Sequence, residues 1–450
     1  MPGRGRIDRL YEILSRHPPV AELARAARRE GVEAHLVGGL LRDRLLGLPS
    51  RDYDAVVSGR GREVSAAVAG ALGAHLVHLG GKAFAAYRVV GASGDDWVLD
   101  VWDREGAPLG ADLARRDFTV NSFALALTEE PVPTSGRRLV DPFGGVDDVA
   151  RRLLRATTED SLRGDPLRVL RLPRLLVQLP GFTADPATLA LARDAAPGLA
   201  GVAAERVREE LVLIFRSPEA GRALALLAAL GVYPGLWRGE PGAQTAADPR
   251  QAGRAAGLLE RLERRAAAVH DAAPDAPPFD LLAARLAATF AALAPAAPDA
   301  AHSGARSEPA TEPVERFRGA GYLTRSLAER VARLLAEPEL PAAERDRRRF
   351  LHRLGRLWPT GLAALGAREA DPGARDRWRQ GVHEVAGLVS RDGATILDPP
   401  RLVGGEDVQR LLGVPPGPEV GRALDRIRRA PVDGTVSTRA EAEALLRAAS

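Results

Sequence analysis

From His35 to Val57 the chain reads His-Leu-Val-Gly-Gly-Leu-Leu-Arg-Asp-Arg-Leu-Leu-Gly-Leu-Pro-Ser-Arg-Asp-Tyr-Asp-Ala-Val-Val, and this stretch decides the fold. The apolar run His35 to Val37 predicts a short strand that stops at Gly38-Gly39. Two adjacent glycines let the backbone approach a bulky ligand, because no β-carbon stands in the way. Leu40 to Leu46 carries apolar residues at helical spacing, so the glycine turn opens a helix, a natural seat for phosphate. Arg42 lies in that first turn. Beyond Pro49, Asp52 and Asp54 flank Tyr53 and lead into Ala-Val-Val. On a strand, residues i and i+2 share a face, so both carboxylates point one way. Adjacent acids repel, and a shared divalent cation held by oxygen ligands relieves the repulsion. A phosphate cradle beside a metal-binding acid pair points to metal-assisted nucleotidyl chemistry.

A chain of 450 residues exceeds one hydrophobic core and is expected to form two to four domains. The net charge is only +4, yet the pI is near 9.9 because arginine supplies nearly all the positive charge; Lys82 is the lone lysine. Arginine bias of this kind also follows from genome composition, so by itself it does not identify a nucleic-acid partner. The absence of cysteine excludes disulfides and thiolate zinc sites. The opening Met-Pro-Gly-Arg-Gly-Arg-Ile-Asp lacks the apolar core of a secretory signal, and alanine-rich runs elsewhere are too short to span a bilayer. A cytoplasmic protein without membrane contact is expected.

Residues 6–30 are expected to be helical with a break at His17-Pro18-Pro19 and a restart at Val20. Residues 62–72 predict a helix closed by Gly73. His75 to His78 and Ala85 to Val90 predict strands joined at Gly80-Gly81, with the histidines packed, and Trp97 to Trp102 predicts a further strand bearing Asp100. Leu113 to Leu127 holds the cluster Arg115-Arg116-Asp117-Phe118-Thr119-Val120-Asn121. Asp141 to Gly145 is a turn, and Asp147 to Leu154 predicts a helix. Asp165-Pro166 predicts a helix start, with the acid as N-cap and proline at the first position. Asp165 and Arg168 then share one face, with Arg171 one turn on, and Pro173 is expected to kink or shorten that helix. Beyond residue 183 the pattern is nearly all helical, interrupted by Pro/Ala-rich stretches near 239–249, 271–278 and 294–313. Strands alternating with helices, then helix alone, predict an α+β head on a helical body.

In this order the motifs resemble one family. Gly38-Gly39, Arg42-Asp43, Asp52/Asp54, Arg115-Arg116-Asp117 and Asp165-Pro166-Leu167-Arg168 are similar to those of class II tRNA nucleotidyltransferases and poly(A) polymerases, within the polymerase-beta superfamily. The likeness is dense over residues 35–240 and resumes at Leu402 to Leu446, where Gly405-Glu406-Asp407-Val408 and Pro416 to Gly421 are similar to the family's tail helices. The resemblance implies a polymerase-beta-like head with a small mixed sheet, then an all-helical neck, body and tail. The boundaries expected are 1–150, 151–240, 241–400 and 401–450, the last anchoring tRNA.

It also implies roles. Asp52, Asp54 and Asp100 would hold two magnesium ions. Gly38, Gly39 and Arg42 would cradle the triphosphate. Arg115, Arg116, Asp117 and Asn121 would contact ribose and phosphate. Asp165 and Arg168 would read the Watson–Crick edge of CTP or ATP in place of a template, with Arg171 nearby, structural or phosphate-facing. Glu205, Arg206 and Glu210 match a neck-helix motif. The implied reaction adds C, A or both to the tRNA 3′ end and releases pyrophosphate.

Two departures bear on it. Gly164 stands where the base-reading motif usually begins with glutamate. The segment from Asp100 to Arg115 is shorter than in CCA-adding relatives, whose flexible loop there serves the switch from CTP to ATP, so addition of CC alone, with a separate A-adding enzyme completing the end, is a live expectation. Residue by residue, other readings stay open: Asp52 and Asp54 as solvated turn acids, Arg115-Arg116-Asp117 as a surface run, Asp165 as a cap only, and the arginines of 328–356 as either tRNA contacts or a solvated face. At the level of function the alternatives are a poly(A) polymerase, a catalytically inactive RNA-binding relative, and an Asp-x-Asp glycosyltransferase, which the Arg-Arg-Asp and Asp-Pro-Leu-Arg elements disfavour.

Overall fold

The computed structural model describes residues 4–79, 85–92, 96–127, 139–232, 236, 249–293, 312–369 and 371–448. Backbone proximity divides the chain into two units, Met1–Val202 and Ala203–Ser450.

The first unit begins with α1 (Arg4–Ser15) and α2 (Pro18–Glu30). The expected break falls at Arg16-His17, and α2 restarts at Pro18 rather than Val20, because proline suits a helix start, where its missing N–H is not needed. There follow β1 (Ala34–Val37), α3 (Gly39–Leu46), β2 (Asp52–Val57), α4 (Gly61–Leu72), β3 (His75–His78), β4 (Ala85–Val90), β5 (Val98–Asp103), α5 (Leu109–Ala114), β6 (Ala124–Ala126), β7 (Leu139–Val140) and α6 (Gly145–Arg151). The seven strands form one mixed sheet in the order β3-β4-β5-β2-β1-β6-β7. Only β2 and β5 run parallel to each other. Helices α2 and α4 pack together and bury Leu23, Ala27, Val64 and Val68 with Ala55, Leu99 and Val101 of the sheet. On the opposite face Leu113 of α5 joins Val37, Val56 and Ala124. The acids lie on this second face.

The unit ends with β8 (Leu153–Leu154), α7 (Ser161–Gly164), α8 (Arg168–Gln178), β9 (Thr183–Ala184) and α9 (Pro186–Ala195). Three sequence expectations are corrected here. The helix from residue 145 ends at Arg151, because Arg152 turns left-handed with φ +56°, and Leu153–Leu154 pairs with Thr183–Ala184 as a short parallel ladder inside the helical stretch. Helix α8 begins at Arg168 rather than Asp165. Asp165 is extended, and Arg168, Val169 and Leu170 each bond back three residues in a tight lead-in turn. Pro173 does not shorten α8, which runs on to Gln178. Leu172, Leu175 and Leu176 are buried around it and offset the lost backbone bond. The histidines also differ: His35 is packed, and burial first of all lowers it to about 4, keeping it neutral, whereas His75 and His78 on edge strand β3 are exposed.

The second unit is helical throughout its described residues: α10 (Ala204–Arg216), α11 (Ala220–Ala229), α12 (Pro249–Ala272), α13 (Leu281–Leu293), α14 (Glu312–Gly319), α15 (Arg325–Leu335), α16 (Glu344–Leu354), α17 (Trp358–Arg368), α18 (Pro372–Leu397), α19 (Gly405–Leu412), α20 (Pro418–Val432) and α21 (Arg439–Arg447). Long helix α12 packs against α11, α13 and α17. The last three helices enclose their own core of Val408, Ala423, Ile427 and Leu446. The Gly80-Gly81 turn and nearly all of the 239–249 and 294–313 stretches lie outside the described residues. Among those described, no helix is long and apolar enough to cross a membrane.

Several arginines of 328–356 serve as staples. Arg349 bonds both oxygens of Asp433 at 2.7 and 2.8 Å, and Arg345 adds a third contact at 2.9 Å. Arg353 takes both oxygens of Glu337 at 2.7 Å, and Arg347 and Arg348 pair with Glu384 and Asp392. The hydrogen bond from Arg349 leads the forces holding the Asp433 carboxyl at about 2. Its folded pKa lies below the unfolded value, so its stabilisation is full above pH 4 and fades as the pH falls toward 2. Asp433→Asn is therefore expected to cost about 1 kcal/mol at pH 7, read as a urea midpoint, with the gap to wild type narrowing between pH 4 and 3. A gap independent of pH would count against the staple.

Candidate active site

Strands β2 and β5 pair so that Asp54 stands directly opposite Asp100. Asp52 lies two residues earlier on the same face. On the other side of β2, Val37 stands opposite Asp54, so the chain leaves β1 at Gly38 beside that carboxylate. Gly38 has φ +78°, and a β-carbon there would meet Asp54 Oδ2 at 2.8 Å and Arg116 Nη1 at 3.4 Å. Only glycine satisfies both the backbone and the gap. Helix α3 starts at the next residue with its N–H groups at this opening.

The carboxylates form a charged focus. Burial, and secondarily Asp100 and Asp52, push Asp54 up to about 6 despite the opposing pull of Arg116 and Arg171. Asp100 is met by Arg88 of β4, which donates from Nε at 2.8 Å and Nη2 at 2.7 Å to its two oxygens. Among the described residues no three His, Asp or Glu side chains converge as a ready-made metal cage. The donor set is nevertheless three carboxylates on adjacent strands, all oxygen, with Asp54 half-buried and raised by burial despite the pull of Arg116 and Arg171. That chemistry suits a hard divalent cation.

The arginines expected at the phosphates and ribose form a connected set. Arg42 is buried; its Nη1 donates to Asn121 Oδ1 at 2.6 Å and its Nε to Asp43 at 2.9 Å. Asn121 in turn donates to Asp117 at 3.0 Å. Asp117 also accepts the N–H of Phe118 at 2.8 Å and pairs with Arg171 at 3.1 Å. Burial raises the Asp117 carboxyl, but Arg171, Asn121, the Phe118 N–H and Arg168 together bring it below its ordinary value. Arg116 is held by Asp112 and reaches toward Gly38 and Asp54. Arg115 is exposed, and its tie to the site is its carbonyl. Arg171, counted from sequence with the nucleotide-binding residues, is here the partner of Asp117.

Arg168 Nη1 donates to the Ser161 carbonyl at 2.8 Å and Nη2 to the Arg115 carbonyl, and its Nε lies 3.9 Å from Asp165. The two carbonyls fix the plane of the guanidinium. Ser161 links the pieces further by donating to the Arg116 carbonyl at 3.1 Å. Glu205, Arg206 and Glu210 fall on α10, in the second unit, where Glu210 is buried.

Arg88 and Ser161 were missed from sequence. Arg88 left one signal, a lone charge in the apolar strand Ala-Ala-Tyr-Arg-Val-Val; Ser161 left none, since its role depends on tertiary contact.

Comparison with known proteins places these features in context. The family described as the poly A polymerase head domain matches residues 34–155, and the one described as a probable RNA and SrmB-binding site of polymerase A matches 181–239. The CC-adding tRNA nucleotidyltransferase of Geobacter sulfurreducens is 34% identical over 445 residues, covering 97% of this chain and 96% of that protein. The A-adding tRNA nucleotidyltransferase of Deinococcus radiodurans is 34% identical over 446 residues, covering 92% and 95%. In fold, the chain is similar to the Bacillus stearothermophilus CCA-adding enzyme solved with CTP, with a TM-score of 0.67 at 24% identity, covering 96% of this chain and 98% of that one.

Proposed function

Because this chain belongs to the tRNA nucleotidyltransferase and poly(A) polymerase family, we propose that it extends tRNA 3′ ends from CTP, ATP or both, with Asp52, Asp54 and Asp100 as the catalytic acids. The observation that carries the assignment is the pairing of Asp54 with Asp100 across parallel strands beside Gly38. It puts the acids and the phosphate-facing turn at one place.

The residues divide the work. Gly38 and Gly39 let the triphosphate come against the backbone at the start of α3, and Arg42 and Arg116 supply its counter-charge. Asp117 and Asn121 hold Arg42 and Arg171 in place and keep the ribose-facing cluster rigid. Asp165 offers acceptors and Arg168 donors to the base edge, which lets one pair of side chains select a nucleotide without a template. Asp52, Asp54 and Asp100 would hold divalent cations, taken here as magnesium, which supply a more acidic RNA 3′-hydroxyl and a neutralised triphosphate. The 3′-oxygen forms its bond to the α-phosphorus in line with the bridging oxygen, pyrophosphate leaves, and the proton passes to water. We read residues 1–150 as the catalytic head, 151–240 as the neck carrying Asp165 and Arg168, 241–400 as the body and 401–450 as the tRNA-anchoring tail of a cytoplasmic enzyme.

Only residues 104–108 separate β5 from α5. With no long loop there to reset the site for ATP, the reading is addition of CC. The A-adding relative from Deinococcus favours a second reading, addition of the terminal A alone. Incubation with magnesium, CTP and ATP separates them. The expected result is two C residues on tRNA that ends at the discriminator base, and no further A. A single A added only to tRNA ending in CC would establish the second reading. Complete CCA would overturn the loop argument, long A tracts would indicate a poly(A) polymerase, and bound but unextended tRNA would leave an inactive RNA-binding protein.

A further inference from the structure

The face of the sheet that bears the acids continues past them. Arg88 and Val77 stand in line with Asp100 across β4 and β3, while Ala86 stands beside Trp102, two residues beyond Asp100 on β5. Leu79 extends that second row, bonded through its N–H to the Ala86 carbonyl at 2.9 Å. Residues two apart on a strand lie about 7 Å apart on one face, so the indole is a near neighbour of the acid. Trp102 is 42% exposed, and Val77 and Leu79 are each 45% exposed. The Arg88 side chain is 43% exposed beside them. Strand β5 is interior, with β2 and β4 on its two sides. An open tryptophan and two open aliphatics on one patch forgo burial that the fold would otherwise use, which marks a binding surface.

The chemistry says what binds there. In an in-line displacement the attacking oxygen and the leaving pyrophosphate lie on opposite sides of the phosphorus. Gly38, Arg42 and the start of α3 occupy the β1 side of the acids, so the RNA 3′ end must approach from the β4–β3 side, over Trp102. We propose that Trp102 is the platform on which the 3′-terminal base of the RNA stacks, with Val77 and Leu79 extending the shelf and Arg88 facing the sugar-phosphate backbone; the proposal rests on the catalytic reading of Asp52, Asp54 and Asp100. An aromatic face beside a guanidinium is the composition that holds single-stranded nucleic acid. Stacking also accepts every base, because each has a π face. An enzyme that adds successive nucleotides meets a different terminal base at each cycle, and a hydrogen-bonding pocket would reject some of them. A docked protein would have to cover the acids themselves.

The test compares wild type, Trp102→Ala and Trp102→Phe in steady-state extension of tRNA lacking its CCA end. In Trp102→Ala the KM for tRNA should rise about tenfold, the loss of one base stack, with the KM for CTP changed less than about twofold. Trp102→Phe should recover most of that loss. An oligonucleotide with the acceptor-end sequence should quench the wild-type tryptophan emission, and the quench should shrink in Trp102→Phe. An unchanged KM for tRNA in Trp102→Ala, with wild type active, would overturn the platform and leave the catalytic reading standing. A wild type that transfers nothing would sink both. Conversion of a dimer to monomer in Trp102→Ala, with the tRNA KM unmoved, would assign the shelf to a second copy of the chain and overturn the proposal.

Discussion

Asp54→Asn is expected to abolish nucleotide addition while making the protein more stable. The loss of rate should reach at least about a thousandfold, since a carboxylate that places divalent charge at the reacting phosphate is worth several kcal/mol. The gain comes from the same buried position. Burial, Asp100 and Asp52 raise the Asp54 carboxyl to about 6, above its unfolded value, so the folded state holds the ionised form at a disadvantage. That disadvantage is absent below pH 4, grows between pH 4 and 6, and is complete above pH 6, where it amounts to roughly 2–3 kcal/mol. Asparagine keeps the shape and removes the charge. Thermal midpoints of the metal-free protein should therefore diverge with rising pH, the variant melting higher at pH 7 and the two nearly coinciding at pH 4. Activity within tenfold of wild type, or a stability gap of the opposite sign, would remove Asp54 from the site.

Asp117→Ala should act in the other direction, on the fold first and the kinetics second. Asp117 is fully enclosed and joins three parts of the first unit: the Phe118 N–H, the Asn121 amide that orients Arg42, and Arg171 of α8. Removing it deprives the partly exposed Arg171 guanidinium and the buried Asn121 amide of their shared carboxylate, a change that costs about 2–3 kcal/mol. Because its folded pKa is depressed, the stability it supplies is present above its unfolded value and fades as the pH falls below about 4. Urea midpoints at pH 7 give the magnitude. The variant should also show a raised KM for CTP even where it is fully folded, since Arg42 loses the partner of its partner. A midpoint within about 0.5 kcal/mol of wild type would show that Arg171 and Asn121 are held by other contacts.

The sequence made the frame of the head legible because its signals are local. The Gly38-Gly39 turn, the period-two acids on β2 and the glycine stop at Gly73 each follow from a few adjacent residues, and the structure has them where the chain pattern put them. The placement of Asp100 opposite Asp54 was readable only through ordered motifs, since the pairing joins strands some forty residues apart. What could not be read depends on tertiary contact. Arg88 is an ordinary strand arginine until β4 is laid against β5. Arg345 and Arg349 look like a solvated face until Asp433 arrives from another helix. Pro173 carries a local signal to shorten α8, yet the helix runs on to Gln178 with Leu172, Leu175 and Leu176 buried around it. The start of α8 falls later than the sequence predicts for a subtler reason: Asp165-Pro166 is a sound helix opening, but its first turn is wound too tightly for an α-helix.

The single parallel pairing in the sheet has a consequence for the order of assembly. Strands β1 and β2 form a neighbouring antiparallel pair, and β3, β4 and β5 form another set of antiparallel neighbours close in the chain. Each set can zip up from short-range contacts. Joining β2 to β5 closes a much longer loop, which is slower to find. Asp54 belongs to the first set and Asp100 to the second, so the acids lie on the seam where the two halves of the sheet meet. Neither half carries the chemistry alone, and the appearance of activity during refolding would report the closing of that seam rather than the formation of any one hairpin.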